Sequence, residues 1–158
     1  MFYIFPTIFP PVTKPIILKI PTEIASRQPV VFFDGECSLC SSSVRFLLRH
    51  NHKGNLTFSS LQSGAGAKIS ALAGRTATQP LESIMFLIDN KLFEHSTAAL
   101  KIAEHLSFPW KAVTIFYLIP AFVRDKLYRY VAKNRYSWFG QKPFCTPADK
   151  DYSIRILN

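Results

Sequence analysis

The chain has 158 residues, a formal net charge of +9, 48% hydrophobic residues and 14% aromatic residues. This excludes a disordered polyelectrolyte and leaves enough chain for one compact domain with a buried core. Three cysteines are too few to staple a chain of this length as a disulfide scaffold, and the odd number fits one working pair plus a further thiol. The positive charge suits an acidic protein, an anionic lipid surface or nucleic acid without choosing among them.

Residues 1–28 are apolar but broken by Pro6, Pro10, Pro11, Pro15 and Pro21. They lack the early positive charge and unbroken apolar run of a secretory signal, and the Arg and Ser of a transit peptide. They read as an irregular Pro-rich extension. No stretch reaches the roughly 20 apolar residues of a membrane helix, and the absence of an export signal favours the cytoplasm. Val30-Val31-Phe32-Phe33, bounded by Pro29 and Gly35, predicts a short buried strand. From Ser38 to about His50 the pattern turns helical: Cys40, Val44, Leu47 and Leu48 recur at i, i+4, i+7 and i+8. Leu56-Thr57-Phe58 predicts a second strand, and residues 61–74 a weak helix. Residues 84–88 predict the clearest strand, and Asp89-Asn90 turns it into a hairpin with residues 91–94.

Ser96 is the predicted N-cap of a helix whose apolar face is Ala99, Ile102, Ala103 and Leu106. The apolar run Ala112 to Val123 predicts a buried helix broken near Pro120. Val123, Leu127, Val131, Asn134 and Trp138 then mark one face of a long last helix ending at Gly140. The order β-α-β-α-β-β-α predicts an α/β fold: a thioredoxin-like sandwich with a mixed four-stranded sheet and a C-terminal helical extension. The expected division is 1–28 extension, 29–107 thioredoxin-like core, and 108–158 helical extension and tail.

Asp34-Gly35-Glu36-Cys37-Ser38-Leu39-Cys40 lies where the first strand hands over to a helix. Residues i and i+3 on a helix face the same way, so the two sulfurs can join as a disulfide. Cys37, at the first turn, meets unsatisfied N–H groups and the helix dipole, which stabilise a thiolate. Cys40 continues the apolar stripe and is expected to be the more buried sulfur. The expected roles follow: Cys37 is the nucleophile, Cys40 resolves the mixed disulfide, and the Cys37–Cys40 disulfide is the redox group with no other cofactor. Asp34 is either a general base toward Cys40 or a cap of the turn. The rival readings are two structural cysteines in a binding module, or a metal held with a partner chain. If residues 38–50 are one helix, His50 lies about 15 Å along the axis from Cys40, too far to share a zinc ion with the cysteines.

The sequence resembles the DCC family of thiol-disulfide oxidoreductases. The match lies in Asp34 to Cys40, then Ser43-Val44-Arg45-Phe46-Leu47, Leu61-Gln62-Ser63 and Ser96-Thr97-Ala98-Ala99-Leu100. It continues through Ile119-Pro120, Arg124-Asp125, Tyr128, Asn134-Arg135-Tyr136 and Trp138-Phe139-Gly140, with Cys145 where many members carry a further Cys. The resemblance implies a thioredoxin-like fold and protein-disulfide reductase activity through Cys37 and Cys40. Its partners would be a disulfide-containing protein substrate and a thiol reductant. A glutathione-linked enzyme on a related fold is the alternative. In thioredoxins a cis-proline precedes the third strand and faces the dithiol; here Ser83 stands there and the nearest proline is Pro80. Ser38 and Leu39, between the cysteines, and Ser83 are therefore the candidate substrate contacts.

Lys126, Arg129 and Lys133 form a basic stripe on the last helix, with Arg124, Arg135 and Lys142 nearby. This is a solvated face or a dock for an acidic partner or membrane surface. No nucleic-acid module is visible, and no nucleic acid is expected. Asn134, Arg135 and Tyr136 are placed to reach the dithiol face or, as the expected reading, to hold the helical extension to the sandwich, and Cys145 is expected to be a structural thiol.

Overall fold

The computed structural model describes residues 15–75, 84–141 and 156–157. In chain order it contains β1 (Ile16–Ile17), α1 (Thr22–Ala25), β2 (Val30–Phe33), α2 (Ser38–His50), β3 (Thr57–Ser60) and α3 (Gly64–Leu72). Then follow β4 (Met85–Ile88), β5 (Lys91–Glu94), α4 (His95–Ala103), a 3-10 helix (Trp110–Leu118), α5 (Ala121–Phe139) and β6 (Ile156–Leu157). Across the sheet the order is β1-β5-β4-β2-β3-β6. β2 pairs parallel with β3 and antiparallel with β4, and β4 pairs antiparallel with β5. That block is the predicted mixed four-stranded sheet, and the fold is a thioredoxin-like α/β sandwich. The strand count differs because two-residue strands extend both edges: β1 pairs with β5 and β6 with β3. Part of the segment expected to be irregular is thus ordered: it forms β1 and α1 and buries Leu18 and Ile24.

Period-two alternation divides the core. Val31, Phe33, Phe58 and Phe86 pack with Val44, Leu47 and Leu48 of α2 and Ala98 and Ile102 of α4. Val30, Phe32, Met85 and Leu87 face the other way, against Leu18, Ile24, Ala65 and Ile69. All four residues of β2 are buried, as a central strand with helices on both faces requires. Asp89 and Asn90, at φ 51° and 59°, make the two-residue hairpin turn between β4 and β5.

The C-terminal helices depart from expectation. Ser96 is not an N-cap; its hydroxyl and backbone N–H both donate to Asp125 Oδ1, on α5. The last helix docks by a polar face: Asp125 and Arg135 are its buried residues, while Val123, Leu127 and Trp138 are exposed. The stretch expected as a buried helix is the 3-10 helix, and it buries no residue. Among the described residues no helix is long and apolar enough to cross a membrane.

Candidate active site

The central strand β2 ends at Phe33, and the next residues supply the chemistry. Asp34 begins the turn, Cys37 is the N-cap of α2, and Cys40 lies in its first turn. Both thiols are free. Burial pushes the Cys40 thiol up from 9.0 to about 12, and the negative charge of Cys37 and Asp34 adds to this, while Arg135 pulls it down.

The expected order of burial is reversed. Cys37 is 0% exposed, and Cys40 is the half-buried sulfur. The cause is the chain leaving α5, which folds back over the N-terminus of α2. Gln141 forms an antiparallel bridge with Cys37, and Ser38 N–H donates to Gly140 O at 3.5 Å. Gly140 sits at φ 74°, ψ 172°, with nothing within 4 Å of an added Cβ. That backbone region is essentially restricted to glycine and costs other residues about 1–3 kcal/mol. Gly140→Ala is therefore expected to loosen the cover alone. In a Cys40→Ser background it should speed iodoacetamide labelling of Cys37 by about fivefold or more. An unchanged rate would show that the cover does not limit access.

Asp34 is the hub of a buried network. Its Oδ2 meets Arg135 Nη2 at 2.7 Å and accepts from the Tyr136 hydroxyl. Its Oδ1 accepts from Gln62 Nε2 at 2.8 Å and from Glu36 N–H at 3.0 Å. Gln62 Oε1 also accepts from Gly35 N–H at 3.0 Å, so one side chain clamps the first two residues of the turn. Asp34 thus caps the turn, and its carboxylate is committed to holding Arg135. Arg135 in turn donates from Nη1 to Cys40 Sγ at 3.6 Å. Burial opposes the Arg135 charge, but Cys40, Tyr136 and Asp34 outweigh it and hold the guanidinium protonated. Tyr136 stays protonated too, pushed up to about 12 by burial and its bond to Asp34.

A cavity of about 510 Å³ opens beside Cys40 between α2, α4 and α5, with Leu39, Phe46, Ile84, Ile102, Tyr128 and Arg135 among its walls. Leu39, one of the expected substrate contacts, lines it; Ser38 Oγ is buried instead, without a hydrogen-bond partner. The Tyr128 hydroxyl accepts from Ile84 N–H at 2.9 Å, tying α5 to the residue just before β4. Ser83, Pro80 and Cys145 lie outside the described residues. Among the described residues no three His, Cys, Asp or Glu side chains gather into a metal site.

The sequence points Arg135 and Tyr136 to the helical extension or to the dithiol face, and gives Gln62 no part in the site. The structure brings all three onto Asp34. The signal was present in Leu61-Gln62-Ser63 and Asn134-Arg135-Tyr136, the family-like segments, whose partners lie 28 and 101 residues away along the chain.

A dithiol at the head of the helix that follows the central strand, on this sheet, defines a thioredoxin-like dithiol protein. More narrowly, residues 31–141 match the DCC1-like thiol-disulfide oxidoreductase family, and the chain belongs to it. Over 128 residues it is 40% identical to the uncharacterized protein YuxK of Bacillus subtilis, covering 81% of this chain and 93% of the relative. Over 120 residues it is 36% identical to an Arabidopsis thaliana protein named as a chloroplastic DCC family protein, covering 75% of this chain and 69% of the relative. No solved structure matches significantly. Membership of the family carries a thiol-disulfide oxidoreductase role.

Proposed function

We propose that the protein reduces disulfides of protein substrates by dithiol exchange through Cys37 and Cys40. The observation that carries this reading is the pairing of the two thiols at the N-terminus of α2, with the second sulfur against the Arg135 guanidinium. The Cys37 thiolate attacks one sulfur of the substrate disulfide. A Cys37–substrate bond forms, and the other substrate sulfur leaves as a thiolate and takes a proton from solvent. Cys40 then gives its proton to solvent and attacks Cys37 Sγ, which expels the second substrate sulfur as a thiolate that takes up a proton in turn. The substrate gains two electrons, and the protein is left with a Cys37–Cys40 disulfide that a thiol reductant reopens. A reducing compartment such as the cytoplasm would keep the pair ready for the next substrate.

In this reading each sulfur needs help from its surroundings. Gln141 must leave Cys37 before a substrate can reach it. Its strand-like bridge occupies the backbone edge along which an extended substrate segment would pair. Cys40 holds its proton firmly, so the second step depends on Arg135 stabilising the emerging thiolate. Asp34 acts through Arg135 as a positioning residue. The apolar cavity gives side chains flanking the captured cysteine somewhere to go.

Insulin reduction with dithiothreitol as reductant tests the reading. Cys37→Ser should reduce turnover to background. Cys40→Ser should stall as a one-to-one mixed disulfide detectable by intact mass. Full activity in Cys37→Ser would overturn the assigned nucleophile, and an inactive wild-type chain across protein disulfides would overturn the substrate class. Trapping Cys40→Ser with oxidised glutathione in parallel separates a glutathione-linked enzyme from a protein reductase.

A further inference from the structure

The 3-10 helix Trp110–Leu118 is among the most apolar stretches of the chain, yet none of its residues is buried. Phe108 is 86% exposed, Leu118 83% and Ile115 65%, and the surface continues through Phe122 and Leu127 on α5. Folding has left in water side chains that the hydrophobic effect would bury, and a contiguous patch of this kind marks a contact surface.

Charge narrows the partner. Between residues 108 and 141 the bases are Lys111, Arg124, Lys126, Arg129, Lys133 and Arg135, and the one acid is Asp125. Asp125 is buried under Ser96 and Arg135 is turned to the dithiol. At 100° per residue along α5, Lys126, Arg129 and Lys133 form a ridge beside the apolar strip Val123, Leu127, Tyr130 and Trp138. A basic ridge beside an apolar, aromatic strip is the pattern of a helix lying in a lipid interface.

We propose that the 3-10 helix and the outward face of α5 dock the protein onto a membrane carrying anionic lipids, without spanning it. The bilayer supplies acyl chains for Ile115, Leu118 and Leu127 and negative headgroups for Lys111, Lys126 and Lys133. A second copy of the chain presents the same unbalanced positive charge and repels it. Residues 1–14 offer apolar cover but no acid, their one charge being Lys14. The opposite face of α5 carries Arg135 to Cys40, so a docked protein holds its dithiol close to the membrane surface.

Co-sedimentation of the full chain with phosphatidylcholine vesicles, and with vesicles also containing phosphatidylglycerol, tests the inference. The chain should pellet with the anionic vesicles, and Trp110 and Trp138 fluorescence should shift to the blue. Lys126→Gln with Lys133→Gln should weaken binding by roughly 25-fold, about fivefold for each lysine. Added salt should weaken it further, and Leu118→Asp with Ile115→Asp should abolish it. Because these side chains are exposed, the variants should keep the wild-type circular dichroism spectrum, which separates lost docking from lost folding. A chain that stays in the supernatant with both vesicle types would overturn the proposal. So would a salt-resistant dimer that the Leu118→Asp, Ile115→Asp variant dissociates. Neither outcome bears on disulfide reduction in solution.

Discussion

Arg135→Gln is expected to cost the fold about 3–5 kcal/mol and to slow release of the second substrate thiolate. The guanidinium and the Asp34 carboxylate have side chains only 5% and 2% exposed and lie 2.7 Å apart. Removing one partner leaves the other as a buried, uncompensated charge, the situation in which a broken ion pair is expensive. Tyr136 and Gln62 still donate to Asp34, but neither carries a charge. For a chain of this size the loss corresponds to a melting temperature lower by about 10 °C. The second consequence concerns the chemistry alone. Burial raises the Cys40 pKa to about 12 even with Arg135, the cation that lowers it, in place. Without it the thiol rises further, and the pH at which Cys40 ionises moves up. Measured in a Cys37→Ser background, the pH profile of Cys40 alkylation should shift to higher pH in Arg135→Gln. Arg135→Lys, which keeps the charge but not the two-pronged geometry, should restore part of the shift. A variant that melts early but keeps the wild-type profile would leave Arg135 a structural residue only.

The parts of the fold legible in the sequence are those whose signals are local. Four β-prone apolar residues confined between Pro29 and Gly35 favour a short buried strand, and the i, i+4, i+7 rhythm from Cys40 places α2 with its N-terminus at the dithiol. Asp89-Asn90 specifies the hairpin by tolerating positive φ. The two-residue strands β1 and β6 are too short to carry a periodic pattern. The orientation of α5 was hidden for a different reason. Periodicity counts apolar side chains, whereas this helix is held by Asp125 and Arg135, each satisfied by a partner far along the chain. The apolar residues that periodicity selected, Val123, Leu127 and Trp138, belong to the outward face. The same distance effect inverted the two sulfurs: nothing near Cys37 in sequence announces that Gly140 and Gln141 return to cover it.

Gly66→Ala is expected to destabilise the protein by about 3 kcal/mol and to loosen the site at the same time. A Cβ at Gly66 would fall 2.6 Å from Leu61 Cα and 2.7 Å from Leu61 O, and closer still to Ser60 O. These are backbone atoms at the end of β3, so no side chain can rotate to make room; α3 itself must move. Its N-terminus is held here by Ser63 Oγ, which accepts from Gly66 N–H at 3.1 Å and donates to Ser60 O at 2.7 Å. Displacing the helix weakens that cap, worth about 1 kcal/mol, and shifts the adjacent Gln62. Gln62 is the clamp on Asp34 and Gly35, so the strain reaches the turn that presents Cys37. Thermal melting should show a fall of about 10 °C. Hydrogen exchange should locate the added opening in α3 and the Asp34–Cys37 turn rather than in the β4–β5 hairpin. A wild-type melting temperature would mean that α3 can separate from β3 without loss, and that Gln62 holds the turn independently of the helix behind it.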